Sequence, residues 1–118
     1  GKLPVNQLPN TLSSDSYYDI QATVSNSPYT IKRIFKQAIT IDGISISTTS
    51  GTCNVQIQVD GVAVGAVFSV SSTISEQTLG TPIQIDATLQ SHSIGYVVTS
   101  QSSAANLEVT MSVAISAT

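Results

Sequence analysis

The residues that most often carry out chemistry are few in this sequence, and they lie far apart. His92 is the only histidine, and it sits in LQSHSIG, a predicted turn between two strands. No G-x-S-x-G motif marks a nucleophilic serine, and the seven carboxylates are scattered singly along the chain. We therefore interpret His92 as a solvated loop residue and expect no enzymatic activity.

The single cysteine and the acidic residues give no metal-binding pattern either. Cys53 alternates in step with Val55 and Ile57 in GTCNVQIQV, which predicts a small buried hydrophobe on the apolar face of a strand. One cysteine and one histidine do not complete a zinc site, and no D-x-D-x-D-G calcium loop occurs. We predict no metal and no other cofactor.

The composition favours a folded domain with few charges. Charged residues make up 9% of the chain, against about 25% in a typical soluble domain. Hydrophobic residues reach 41%, which is too many for a disordered tail. The net charge of −3 argues against nucleic acid as a partner, and no apolar run approaches the ~20 residues that span a bilayer. Serine and threonine are abundant, so hydroxyl groups should cover much of the surface.

The elements that carry these residues are predicted to be β-strands. From Tyr29 onward apolar residues recur at every second position, most regularly in Leu107–Ile115. Asp60–Gly61 predicts a two-residue hairpin turn, and a change from odd to even apolar positions at Asp42–Gly43 predicts a β-bulge. Other breaks are predicted at Thr49–Gly51, Leu79–Pro82, Gln90–Ser93 and Ser100–Asn106, the last with room for at most one helical turn.

This pattern predicts an all-β fold, an antiparallel β-sandwich of jelly-roll-like form with seven or eight short strands. Within that fold Ile57, Val59, Val109 and Met111 should face inward. The sandwich is assigned to residues 29–118, and residues 1–28 are interpreted as an N-terminal arm followed by a first short strand at Ile20–Val24.

The arm, residues 1–19, is a candidate partner-binding segment. It combines two prolines with apolar side chains that are too few to form a core of their own. The candidate contacts are Leu3, Val5, Leu8, Leu12, Tyr17 and Tyr18. Two interpretations stay open: the arm grips a neighbouring subunit, or it packs along its own domain. If the arm is the anchor, removal of residues 1–19 is expected to leave the β-domain folded but to weaken its attachment to a shell or a neighbouring subunit.

A basic cluster, Lys32, Arg33 and Lys36, holds three of the four basic side chains. Lys32 and Arg33 are consecutive, so on a regular strand they point to opposite faces. One interpretation is an edge strand protected by charge. The other is a binding site for an acidic surface of a partner.

Three stretches carry a resemblance to a known group of proteins: AITIDGISISTTSGTCNVQIQVDGVAVG, VFSVSST and SIGYVVTSQSSAANLEVTMSVAI. Together they run from about Ala38 to Ile115 and resemble a recurrent β-module of tailed-bacteriophage virion proteins. Proteins with such modules include small head-decoration (cement) proteins and parts of head or tail fibres. The resemblance brings no catalytic residues and does not extend to the first 35 residues.

The resemblance implies a capsid decoration protein on the virion surface, which binds across shell subunits and so stabilises the head. The expected partners are the major capsid protein or other virion subunits, and the low charge favours a homo-oligomer. A trimer on a local three-fold axis fits the resemblance best. The alternative is a receptor- or glycan-binding fibre module, although no tryptophan is present as a sugar platform. A pilus-type subunit with a donated strand is disfavoured by Pro4 and Pro9.

Overall fold

Seven antiparallel β-strands make up the fold in a computed structural model that describes residues 13–86 and 90–115. The strands are β1 (Ser13–Thr23), β2 (Pro28–Ile34), β3 (Ile39–Ser47), β4 (Ser50–Val59), β5 (Val62–Val70), β6 (Ser75–Ile85) and β7 (His92–Ile115). The described residues contain no helix. The predicted all-β class and the strand number are confirmed.

Strand β7 organises the sheet because four other strands pair with it. Its first half lies between β2 and β4, and its second half lies between β1 and β3. Strand β5 then pairs with β4, and β6 pairs with β3. The result is two four-stranded layers, β2-β7-β4-β5 and β1-β7-β3-β6, that share β7. This arrangement is an antiparallel β-sandwich of jelly-roll-like form, with β1, β2, β5 and β6 as edge strands.

The core lies between the two layers and is built from the alternating apolar residues. Ile57, Val109 and Met111 are buried as predicted, and Val59 is partly buried and packs against them. The fully buried side chains with the largest volumes are Tyr96, Ile41, Ile46, Ile57, Ile94, Leu107 and Met111. Cys53 is also buried, in agreement with its predicted position, and burial raises the pKa of its thiol.

The predicted turn and bulge both occur. Asp60 and Gly61 have φ angles of 54° and 79°, which is the pattern of a type I′ turn, and they connect β4 to β5. The pairing register of β3 shifts between Ile41 and Gly43, against both β6 and β7. The two Asp-Gly pairs therefore mark the positions of the turn and the β-bulge, as the sequence predicts.

Two predicted breaks lie inside strands and must be corrected. Strand β7 continues through Ser100–Asn106, because Ser100, Ser103 and Asn106 take φ angles of 51–52° and bend the strand without ending its pairing. Strand β6 continues through Leu79–Pro82, although the register shift leaves those four residues opposite the single residue Asp42. Pro82 is tolerated there because β6 is an edge strand.

The start of the first strand must also be corrected, from Ile20 to Ser13. Residues 13–23 pair with β7 from Ile115 back to Ala105, so they belong to the sandwich rather than to an arm. The sequence pattern concealed this strand because its inward side chains include Asp19 and Gln21, while Tyr18 and Ile20 face outward. The candidates Leu3, Val5, Leu8 and Leu12 lie outside the described residues.

Deletion of residues 1–19 is now expected to destabilise the domain, contrary to the prediction from sequence. The deletion removes seven residues of β1, including Tyr17, which is 6% exposed and packs in the core. Loss of a buried aromatic ring costs about 3–5 kcal/mol. Thermal unfolding followed by circular dichroism should show a marked fall in melting temperature. Deletion of residues 1–12 is the control, since it leaves β1 intact; equal melting of both truncated proteins would contradict this role of β1.

Candidate interaction surfaces

The basic cluster lies on β2 and in the bend that follows it. Within the part of the chain that the structure describes, β2 pairs with β7 alone and is therefore an edge strand, as one interpretation of the cluster required. A register shift between Thr30 and Lys32 breaks the alternation, so Lys32 and Arg33 are both exposed. The Nζ of Lys32 lies 5.7 Å from the centroid of the Tyr17 ring, and the Nζ of Lys36 lies 5.2 Å from that of Phe35.

Tyr17 and Tyr18 do not form a common patch. Tyr17 packs in the core, where burial and the nearby Asp15 carboxylate raise the pKa of its phenol. Tyr18 faces outward and donates a hydrogen bond of 3.3 Å from its Oη to Oε1 of Glu108. Of these two candidates for partner contact, only Tyr18 presents a large surface to solvent.

A polar cluster that sequence analysis missed lies between β1 and β7. Tyr96 is fully buried, and its Oη donates a hydrogen bond of 2.7 Å to Oδ2 of Asp19. The Nε2 of Gln21 donates to the same oxygen at 2.9 Å, and the Tyr29 ring lies 5.4 Å from the Tyr96 ring. Burial, reinforced by the hydrogen bond to Asp19, raises the pKa of Tyr96 well above its usual value. The cluster ties the first strand to the centre of the sandwich.

Replacement of Tyr96 by Phe should lower stability at neutral pH by about 1–2 kcal/mol, since it removes a hydrogen bond to a half-buried carboxylate. The replacement should also reduce the fall in the free energy of unfolding that the wild-type protein shows at alkaline pH. The unfolded chain releases the Tyr96 proton near pH 10.0, whereas the folded chain retains it, so stability falls as the pH rises above that value. Melting temperatures between pH 8 and 11 would test this. The control Tyr18→Phe, which alters a surface ring, should keep most of the wild-type slope; an equal slope in Tyr96→Phe would contradict the assignment.

His92 lies at the start of β7, beside the β4–β5 turn. Its Nδ1 is 2.7 Å from Oδ2 of Asp60, and the backbone N–H of Ser93 donates to Oδ1 of the same carboxylate at 2.9 Å. These two hydrogen bonds, His92 first, lower the pKa of Asp60. The Asp60 carboxylate thus connects the β4–β5 turn to the start of β7 through His92 and Ser93. Among residues 13–86 and 90–115, no three His, Cys, Asp or Glu side chains are grouped to hold a metal ion.

An apolar cleft opens between the edge strands β5 and β6. The cleft has a volume of about 380 Å³, and the buried residue Ile57 forms part of its lining. Its walls carry the half-buried side chains of Val64, Phe68, Leu79 and Ile83. We call this feature the β5–β6 cleft. No strand pairs with β5 or β6 on this side within the described residues, so the backbone edges are open as well.

A second, polar depression lies on the outer face of the β1-β7-β3-β6 layer. We call it the outer groove. Asp42 and Glu76 contribute carboxylates to it, and the hydroxyl groups come from Ser45, Thr78, Thr110 and Ser112. The bulge at Gly43 forms part of its lining, so the Asp42–Gly43 pair shapes this surface as well as the strand register.

The sequence had singled out Tyr18 and the basic cluster, but neither groove. The β5–β6 cleft and the outer groove each bring together residues that are far apart in the chain, so no local sequence motif predicts them.

No helix in the described part of the chain is long and apolar enough to cross a membrane. No known protein family matches this chain, and no curated protein is significantly similar to it.

Proposed function

We propose that this protein is a structural component of a virion, a decoration protein that binds across the subunits of a capsid shell. The resemblance of Ala38–Ile115 to β-modules of tailed-bacteriophage virion proteins carries the proposal. That stretch corresponds to strands β3 to β7, with most of the core.

The distribution of surface side chains supports a role in assembly. The large exposed hydrophobic residues lie on or beside the four edge strands, while the outer faces of the inner strands carry mainly hydroxyl and amide groups. Exposed apolar side chains and open strand edges are typical of surfaces that other chains cover. A protein that buries such surfaces across the seams between shell subunits would raise the free energy needed to separate them.

Co-sedimentation with empty capsid shells that lack the protein would test the proposal. We expect saturable binding and a higher melting temperature of the decorated shells. Deletion of residues 1–12 would locate the contact: loss of binding with unchanged melting of the protein assigns it to that segment, and retained binding moves it to the sandwich, with the basic cluster first. Absence of binding by the intact protein would contradict the proposal.

The outer groove favours one alternative, a receptor- or glycan-binding module of a phage fibre. Carboxylates and hydroxyl groups that line a depression are suited to hydrogen-bond the hydroxyl groups of a sugar. A glycan array would test this alternative, with Asp42→Asn as the variant that should lose binding. Binding that is the same in Asp42→Asn and in the wild type would argue against the groove as the site.

A further inference from the structure

We propose that a second copy of this chain docks against the β5–β6 cleft, with Phe35 and the basic cluster as the docking surface. The contact is between copies of the protein and would stand even if the protein bound no shell. It rests on three observations: the positions of the exposed apolar side chains, the separation of charges, and the apolar lining of the cleft.

The exposed apolar side chains divide between two sides of the sandwich. Tyr18, Ile20 and Phe35 lie on or beside β1 and β2, and Phe35 is 58% exposed at the end of β2. On the opposite side, Val62 and Val67 belong to β5, and Ile74 lies in the connection to β6. Among the described residues the inner strands β3, β4 and β7 present no large exposed hydrophobic side chain. Contiguous apolar surface at sheet edges marks a site of association.

The side that carries Phe35 is positively charged. Lys32, Arg33 and Lys36 surround it in sequence, and the ammonium group of Lys36 lies over its ring. No carboxylate within the described residues forms a salt bridge with any of the three. Their charges are therefore available to an acidic partner surface.

The side that carries the β5–β6 cleft is apolar with an acidic border. Strand β5 contains no charged residue. Glu76 is next to Gln77, which lines the cleft, and Asp86 follows the last residue of β6. Both carboxylates are exposed and neither forms a salt bridge within the described part of the chain.

The two sides therefore complement one another. An aromatic ring is the kind of side chain that fills an apolar cleft at the centre of an interface, and Lys32 and Arg33 would meet Glu76 and Asp86 around it. Because both surfaces belong to the same chain, a second copy supplies the partner without any other protein. The two surfaces are different, so the contact is head-to-tail and generates a closed ring or an extending chain.

Sedimentation velocity over a concentration series tests the contact through Phe35. The wild-type protein should associate, and Phe35→Ser should weaken association at least tenfold while its melting temperature stays unchanged. Thr99→Ala is the control, since Thr99 is exposed on the inner strand β7 and belongs to neither of the two sides. Equal association of Phe35→Ser and the wild type would overturn the proposal, as would a wild type that is monomeric at every concentration.

A charge exchange tests the other half of the contact. Two double variants should each be monomeric when studied alone: Lys32→Glu/Arg33→Glu and Glu76→Lys/Asp86→Lys. A mixture of the two variant proteins should associate again. Thr99→Lys/Ser102→Lys/Glu108→Lys makes the same change in net charge as the second variant, at exposed positions of the inner strand β7, and should associate like the wild type. Failure of the mixture to associate would overturn the pairing. Association lost on deletion of residues 1–12, with Phe35 intact, would show instead that this segment occupies the cleft.

Discussion

Val109→Asp should abolish folding. Val109 is completely buried on β7, where it is paired with both β1 and β3. An ionised carboxylate at this position would have no partner, and its desolvation costs several kcal/mol. Single domains of this size have a total stability of about 5–15 kcal/mol. Circular dichroism and a thermal scan should therefore show an unfolded or aggregated protein.

The matched control for this variant is Ser102→Asp. Ser102 is exposed on the same strand, so a carboxylate there remains hydrated and the melting temperature should change little. A soluble Val109→Asp protein that unfolds cooperatively, near the wild-type temperature, would mean that the inward and outward faces of β7 are exchanged.

Gly95→Ala should produce the second large effect, a loss of about 3 kcal/mol in the free energy of unfolding. Gly95 is buried on β7 opposite Thr30 of β2. A Cβ at this position would overlap the backbone carbonyl oxygen of Tyr29, and a backbone atom cannot rotate away as a side chain can. Strand β2 must then move outward and lose pairing with β7. Chemical denaturation followed by fluorescence of the tyrosines would measure the loss.

Gly80→Ala provides the comparison within the same chain. No atom lies within 4 Å of a Cβ placed at Gly80, and its backbone is not in the left-handed region. This variant should retain wild-type stability. Equal stability of the two variants would show that β2 does not approach β7 as closely as the structure has it.

The strand pattern was predictable because one face of each inner strand is buried. Alternation in Val55–Val59 and Leu107–Ile115 follows directly from that burial, and Asp60–Gly61 has the residue types that a type I′ turn demands. The continuity of β7 through Ser100–Asn106 was not predictable. Serine and asparagine there adopt positive φ angles, and only pairing with the adjacent strand β4 reveals that the segment remains a strand.

The candidate surfaces were predictable only in part. Charge type alone singled out Lys32, Arg33 and Lys36, but the register shift near Ile31 that exposes both Lys32 and Arg33 has no glycine to signal it. Phe35 has the residue type of a core position. It is exposed because β2 ends at Ile34, and the sequence does not mark that end. The β5–β6 cleft depends on two edges of one sheet that meet only after the sheet has folded over.

The central place of β7 also decides the order in which the chain can fold as it is synthesised. Among the described strands, β1 and β2 pair with β7 alone, yet β7 is the last of the seven to leave the ribosome. The β4–β5 hairpin and the pairing of β3 with β6 can form earlier, because both members of each pair are already available. The first strands must wait, with their hydrogen-bonding groups in water, until β7 has emerged. Closure of the sandwich is thus a late, long-range event, and contacts of such large separation in sequence make folding slow.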